Sequence, residues 1–143
     1  MNILQIGILI FTIIEAGNVL MLYFNPGSKM GNGIGVFNAW EASKADENTH
    51  ELVKYLVNWV AGAKLIFIML GIVVIIWGSF LVQALTVGAL ILSILSFYWR
   101  LFPAIRRLDK KGQITPKGYS KTLAIMITSF IAGFAVVLIV ALV

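Results

Sequence analysis

An apolar run from Leu52 to Trp77, LVKYLVNWVAGAKLIFIMLGIVVIIW, carries Lys64 near its middle and Asn58 less than two turns before it. The run is long enough to cross the roughly 30 Å hydrocarbon core of a bilayer. A charge at that depth is costly, so an ionisable residue there marks a functional site with a partner to be found. Only one acidic residue lies inside another apolar run: Glu15, in LQIGILIFTIIEAGNVLMLYF. The remaining sequence is read around that possible pair.

The composition is that of a membrane protein. Hydrophobic residues make up 60% of the 143 and the mean hydropathy is +0.97, against about 45–50% apolar residues in soluble domains. Charged residues account for 12%, about half the usual share. Cysteine is absent, which removes disulfides, thiolate metal sites and thiol catalysis. One histidine cannot build a His-rich metal site, so no metal or cofactor is expected. The net charge of +5 does not point to nucleic acid, because the basic residues flank apolar spans.

Four spans are predicted, at about residues 3–24, 49–77, 80–99 and 121–143. The first lacks the basic leader and the small-residue cleavage pattern of a signal peptide and contains Glu15 and Asn18, so it reads as a retained helix. Residues 25–48 form a long first loop. Its glycines Gly31, Gly33 and Gly35 lack the Gly-Lys-Ser/Thr that a phosphate-binding loop needs. Within it, VFNAWEASK predicts a short interfacial helix with Trp40 at headgroup level. Asn48 and Glu51 have capping-box spacing and place the start of helix two near Thr49. At about 1.5 Å per residue that helix is about 43 Å long, so its first turns, with His50, Glu51 and Lys54, stand in water or among headgroups. Gly78-Ser79 is a tight connection. Residues 100–120 form the third loop, broken up by Pro103, Gly112, Pro116 and Gly118. The predicted fold is an all-α integral membrane protein, a four-transmembrane-helix bundle with a short interfacial helix in the first loop.

Orientation follows from the distribution of Lys and Arg. Arg100, Arg106, Arg107, Lys110, Lys111, Lys117 and Lys121 flank the third loop, which makes it cytoplasmic. Alternation places the first loop on the same side with Lys29, Lys44 and Lys54. Ten of the 11 basic residues then share one side, and the remaining one is Lys64. Both termini lie outside, and the plasma (inner) membrane is the expected location. Arg100, Arg106, Arg107, Lys110 and Lys111 are candidates for contact with anionic lipid headgroups.

The polar residues inside the spans have a pattern. Glu15 is about 13 Å along the axis from Phe24, and Lys64 about 16 Å from Val53, so the two lie at similar depth. Gln5, Thr12, Glu15 and Asn18 share an arc of about 140° on helix one, and Lys54, Asn58, Ala61 and Lys64 an arc of about 120° on helix two. On helix three, Gln83, Thr86, Ser93 and Arg100 cover about 100°. Thr122, Ser129 and Gly133 line helix four, as small residues do at ordinary helix contacts. The candidate substrate- or ion-binding residues are Glu15, Lys64, Asn18, Asn58 and Gln83, and no catalytic residue is assigned.

Around Ile14-Glu15-Ala16-Gly17, a glutamate in the first helix of a small four-helix protein is similar to the small multidrug resistance transporters. The long first loop and Lys64 depart from that pattern. NVLMLYFNP with the later Trp40-Glu41 resembles the small membrane subunit of tripartite carboxylate transporters, with different spacing. Neither resemblance transfers a functional residue.

Three functions fit the sequence. The first is a small transporter or ion-conducting protein, oligomeric, in which a cationic substrate exchanges with Lys64 at Glu15 and so links binding to proton release. The second is a non-catalytic membrane subunit docking onto a larger complex, with the polar pair fixing its fold. The third is a membrane enzyme acting on lipid, for which Glu41, His50 and Glu51 form no recognisable constellation. Four short spans bury little against one another, so a homo-oligomer or a partner membrane subunit is expected, in contact with the bilayer and anionic headgroups.

Overall fold

The computed structural model describes residues 1–143. The chain is all-helical, with α1 Ile3–Phe24, α2 Asn38–Ser43, α3 Glu47–Trp77, α4 Phe80–Leu95, α5 Leu101–Lys110 and α6 Tyr119–Leu142. A single 3₁₀ turn, Ser96–Tyr98, links α4 to α5. Four helical stretches are long and apolar enough to cross a membrane: Ile3–Phe24, Glu47–Trp77, Phe80–Lys110 and Tyr119–Leu142.

Helices α1, α3 and α4 start where the chain supplies a side-chain acceptor. Asn2 and Gln5 form a reciprocal capping box at the start of α1, which satisfies two backbone donors that have no partner within the helix. The cap of α3 is Asp46, whose carboxylate accepts from the Thr49 amide and hydroxyl. This corrects the expected cap at Asn48. An aspartate one turn ahead of Thr49 satisfies the free amide and complements the positive end of the helix dipole. Ser79 caps α4 directly after the tight connection.

The third loop also differs from expectation. Its first half is helix α5, because Pro103 falls in the first turn, where a missing N–H costs nothing. Gly112, at φ +69°, ends the helix. Asp109 then reaches across to the start of α6, accepting from the Gly118 amide, the Ser120 amide and the Ser120 hydroxyl at 2.9, 3.0 and 2.6 Å.

Packing is uneven. Helices α1, α4 and α6 touch one another, while α3 packs on α1 along its length, meets α4 near the Gly78 turn and does not pack against α6. One apolar cluster joins Leu4, Ile8, Val87 and Phe134, with Phe11 edge-on to Phe130 and Phe134 at 6.1 and 5.4 Å between ring centroids. A second joins Val19, Leu22, Val57, Ala61 and Ile68 between α1 and α3. Gly71 lets these two helices close up: a Cβ there would stand 3.0 Å from Thr12 Oγ1. Only 19 of 143 residues are buried. The apolar side chains left outside, among them Trp59 and Phe67 on α3, far exceed the patches that soluble monomers expose.

The first and third loops lie at the same end of the molecule and are joined. Phe37 and Ile114 form an antiparallel bridge, with the Asn38 amide donating to Gln113 O and the Thr115 amide to Val36 O at 3.0 and 2.8 Å. At the opposite end of the bundle the start of α1 and the Gly78 turn meet in a polar cluster. There the Asn2 side-chain amide donates to Gln83 Oε1, Gln83 Nε2 to Gly78 O, and Gln5 Nε2 to Ile75 O, each at 2.8 Å.

Candidate functional site

The depth arithmetic brings Glu15 and Lys64 together, and the structure joins them: the Lys64 ammonium donates to Glu15 Oε2. Asn18, one turn along α1, donates through Nδ2 to Glu15 Oε1 at 3.2 Å. The side chains of Lys64 and Glu15 are 25% and 17% exposed. The pair is therefore shielded without being sealed, and each charge has its partner where solvation is poor.

Two of the residues grouped with this pair by sequence lie elsewhere. Asn58 is exposed. The buried face of α3 is Val57, Ala61, Lys64 and Ile68, with spacings of four, three and four residues, and Asn58 lies about 120° around the helix from Lys64. Gln83 is 2% exposed and is consumed at the other end of the bundle, holding Asn2 and the Gly78 carbonyl. Its neighbour there, Gln5, is about 15 Å along α1 from Glu15. The signal for this cluster was Asn2-x-x-Gln5, a capping box at the start of the chain.

An open cleft of about 330 Å³ lies next to the pair, toward the loop end. Its walls include Leu22 of α1, Ile34 of the first loop, Val57 and Val60 of α3, Ile105 of α5 and Leu123 of α6. It occupies the gap where α3 and α6 fail to meet. Lys64 is one turn beyond Val60 on the same helix, and Glu15 two turns before Leu22. The charged pair thus lies on the same helix faces as the cleft wall, one to two turns farther along.

Around α2 the expectations for Trp40 and His50 are corrected. Trp40 is 7% exposed and does not stand at the surface. Its ring packs at 4.8 Å from the His50 ring, and its indole nitrogen sits so close to Gly27 that a Cβ there would come within 2.6 Å. His50 is half-buried, its Nδ1 2.8 Å from Ser43 Oγ. The Ser43 hydroxyl donates its one proton to Trp40 O at 2.8 Å, so the network assigns Nδ1–H of His50 as the donor to Ser43. That is the reverse of an activated serine. Glu41 pairs with Lys44 and Glu51 with Lys54 along their own helices, so the residues weighed for lipid chemistry do not converge. No three His, Asp or Glu side chains gather in a way that would hold a metal ion.

The cations of the third loop are different. Arg100 stacks on Trp99 at 5.3 Å, and Arg106, Arg107, Lys110 and Lys111 are exposed and form no salt bridge. The one acid of this segment, Asp109, is buried beneath its bonds to α6. The Ser120 hydroxyl and the Gly118 and Ser120 amides hold its carboxyl below the ordinary carboxylate value of 3.8, with a smaller contribution from Lys117.

No protein-family model matches the chain, and neither a curated protein nor a solved structure matches it.

Proposed function

We propose that this chain is an integral membrane protein, with the joined first and third loops on the cytoplasmic side of the plasma (inner) membrane, and that it is a small transporter or ion-conducting protein. The observation that carries this reading is the Glu15–Lys64 pair, which is partly open and lies one turn of α3 beyond Val60 in the wall of an apolar cleft between two helices that do not meet. A carboxylate in that position binds a cation or a proton in place of Lys64, and Asn18 holds the carboxylate in register during the exchange. Intramembrane carboxylates of this kind serve as relays in pumps and transporters. The basic loop end supports the orientation.

The test is flux. Wild-type protein in liposomes loaded with a pH-sensitive dye should pass protons or exchange them for an added cation. Glu15→Gln should abolish that flux while the protein keeps its size and stays folded at the assay temperature, even with its melting point lowered. Unchanged flux in Glu15→Gln sinks the reading.

One observation favours a second reading, a non-catalytic membrane subunit. The outer face of α3, with Trp59 and Phe67, is covered by no other helix of the chain, as a surface built for a partner subunit or a second copy would be. Loss of the protein from cells lacking a partner would favour it.

A further inference from the structure

We propose that the cleft between α3 and α6 is a lipid site, taking one acyl chain of an anionic phospholipid whose phosphate is held by Arg106 of α5, the residue next to Ile105 in the cleft wall. The inference rests on the membrane reading above but not on transport. Three independent features converge on it. The cleft has the size of a small ligand site, about 330 Å³, and ten of its twelve lining residues are hydrophobic. It lies between spanning helices that do not pack on each other, so a chain entering from the bilayer displaces no helix contact. Amphipathic α5 borders it: Phe102 and Ile105 are partly buried, and Ile105 lines the cleft, while the next residue, Arg106, is exposed.

The cations of α5 have no acidic partner, and the fold makes it so. Of the basic residues at the loop end, Lys44 and Lys54 are matched by Glu41 and Glu51. Those of α5 are matched by nothing, because the helix's one acid, Asp109, is turned inward and spent on the start of α6. A phosphate diester supplies the missing anion, and its attached chain supplies apolar surface for the cleft. A zwitterionic headgroup brings its own cation to the same place and gains less.

The experiment uses the full chain, reconstituted in vesicles of equal parts phosphatidylglycerol and phosphatidylcholine, re-extracted in mild detergent, with the lipid still bound to the protein counted by mass spectrometry. Co-flotation with the vesicles reads the membrane assignment separately. Wild type should retain phosphatidylglycerol over phosphatidylcholine by about tenfold, the scale set by one to two surface cations. Val60→Trp, at a half-exposed position on the cleft wall, should retain neither lipid, and Leu56→Trp serves as a second filling variant. Arg106→Gln should keep bound lipid but lose most of the preference. Equal retention of the two lipids by wild type overturns the proposal, as does unchanged phosphatidylglycerol enrichment in both filling variants.

Discussion

Glu15 and Lys64 stand 49 positions apart in the chain and share an ion pair between two helices that pack along their length. Removing one partner strands the other in poor solvent, which costs about 3–5 kcal/mol for a fully buried pair. With side chains 17% and 25% exposed, a smaller loss is expected, about 2–3 kcal/mol. Glu15→Gln and Lys64→Met should each lower thermal stability in detergent by that order, and the double variant should recover most of it. If the double variant is as unstable as the two losses summed, the side chains are not coupled.

Part of the acid limb of stability should belong to Asp109. Its carboxyl is held below its ordinary value of 3.8 in the folded chain, first by the Ser120 hydroxyl and then by the Gly118 and Ser120 amides. A depressed folded-state value means the unfolded chain takes up the proton first on acidification. The stabilisation is complete above the ordinary value and is lost as the pH falls through the folded one. Asp109→Asn should therefore lower the melting temperature at neutral pH, and the gap to wild type should narrow below pH 3.8. A gap that is constant across that window contradicts the assignment.

Close approach of α1 and α3 depends on Gly71, where an added Cβ would meet Thr12 Oγ1 at 3.0 Å. Gly71→Leu should wedge the helices apart and cost about 1–3 kcal/mol, read as thermal stability in detergent. Gly88, where a Cβ meets nothing within 4 Å, should accept alanine with little change.

The joined loops give a topology test that the absence of cysteine makes clean. Single cysteines at Lys44 and Gln113 should react with a membrane-impermeant thiol reagent from the same side in right-side-out and inverted vesicles. A cysteine at Val143 should react from the opposite side. Labelling of positions 44 and 113 from different faces rules out the Phe37–Ile114 bridge as placed.

The four long apolar helices, the Gly78-Ser79 turn and the Glu15–Lys64 encounter were legible in the sequence, because length, hydropathy and rise per residue fix them. The rotation of α3 was not. Phasing the helix on its polar residues put Asn58 inside, whereas the small and apolar series Val57, Ala61, Ile68 decides which face meets α1. Pro103 was read as a breaker because a proline's effect depends on its place within the helix, here the first turn. Gln83 and His50 were misplaced for a shared reason: their partners, Asn2 and Ser43, are set by how connections fold back, which carries no periodic signature.

The side-chain amides of Gln5 and Gln83 have a mechanical consequence. They fasten the Gly78 end of α3 to its neighbours, while at the far end only the first loop straddles the gap to α6. A tilt of α3 would turn about that end and carry α1 with it, because Val57 and Ala61 are packed against Val19 and Leu22. Val57 lies about 30 Å from the turn, so a tilt of roughly 5° would widen the cleft mouth toward α6 by roughly 2–3 Å. The Glu15–Lys64 pair, lying between the two helices that move together, would stay closed.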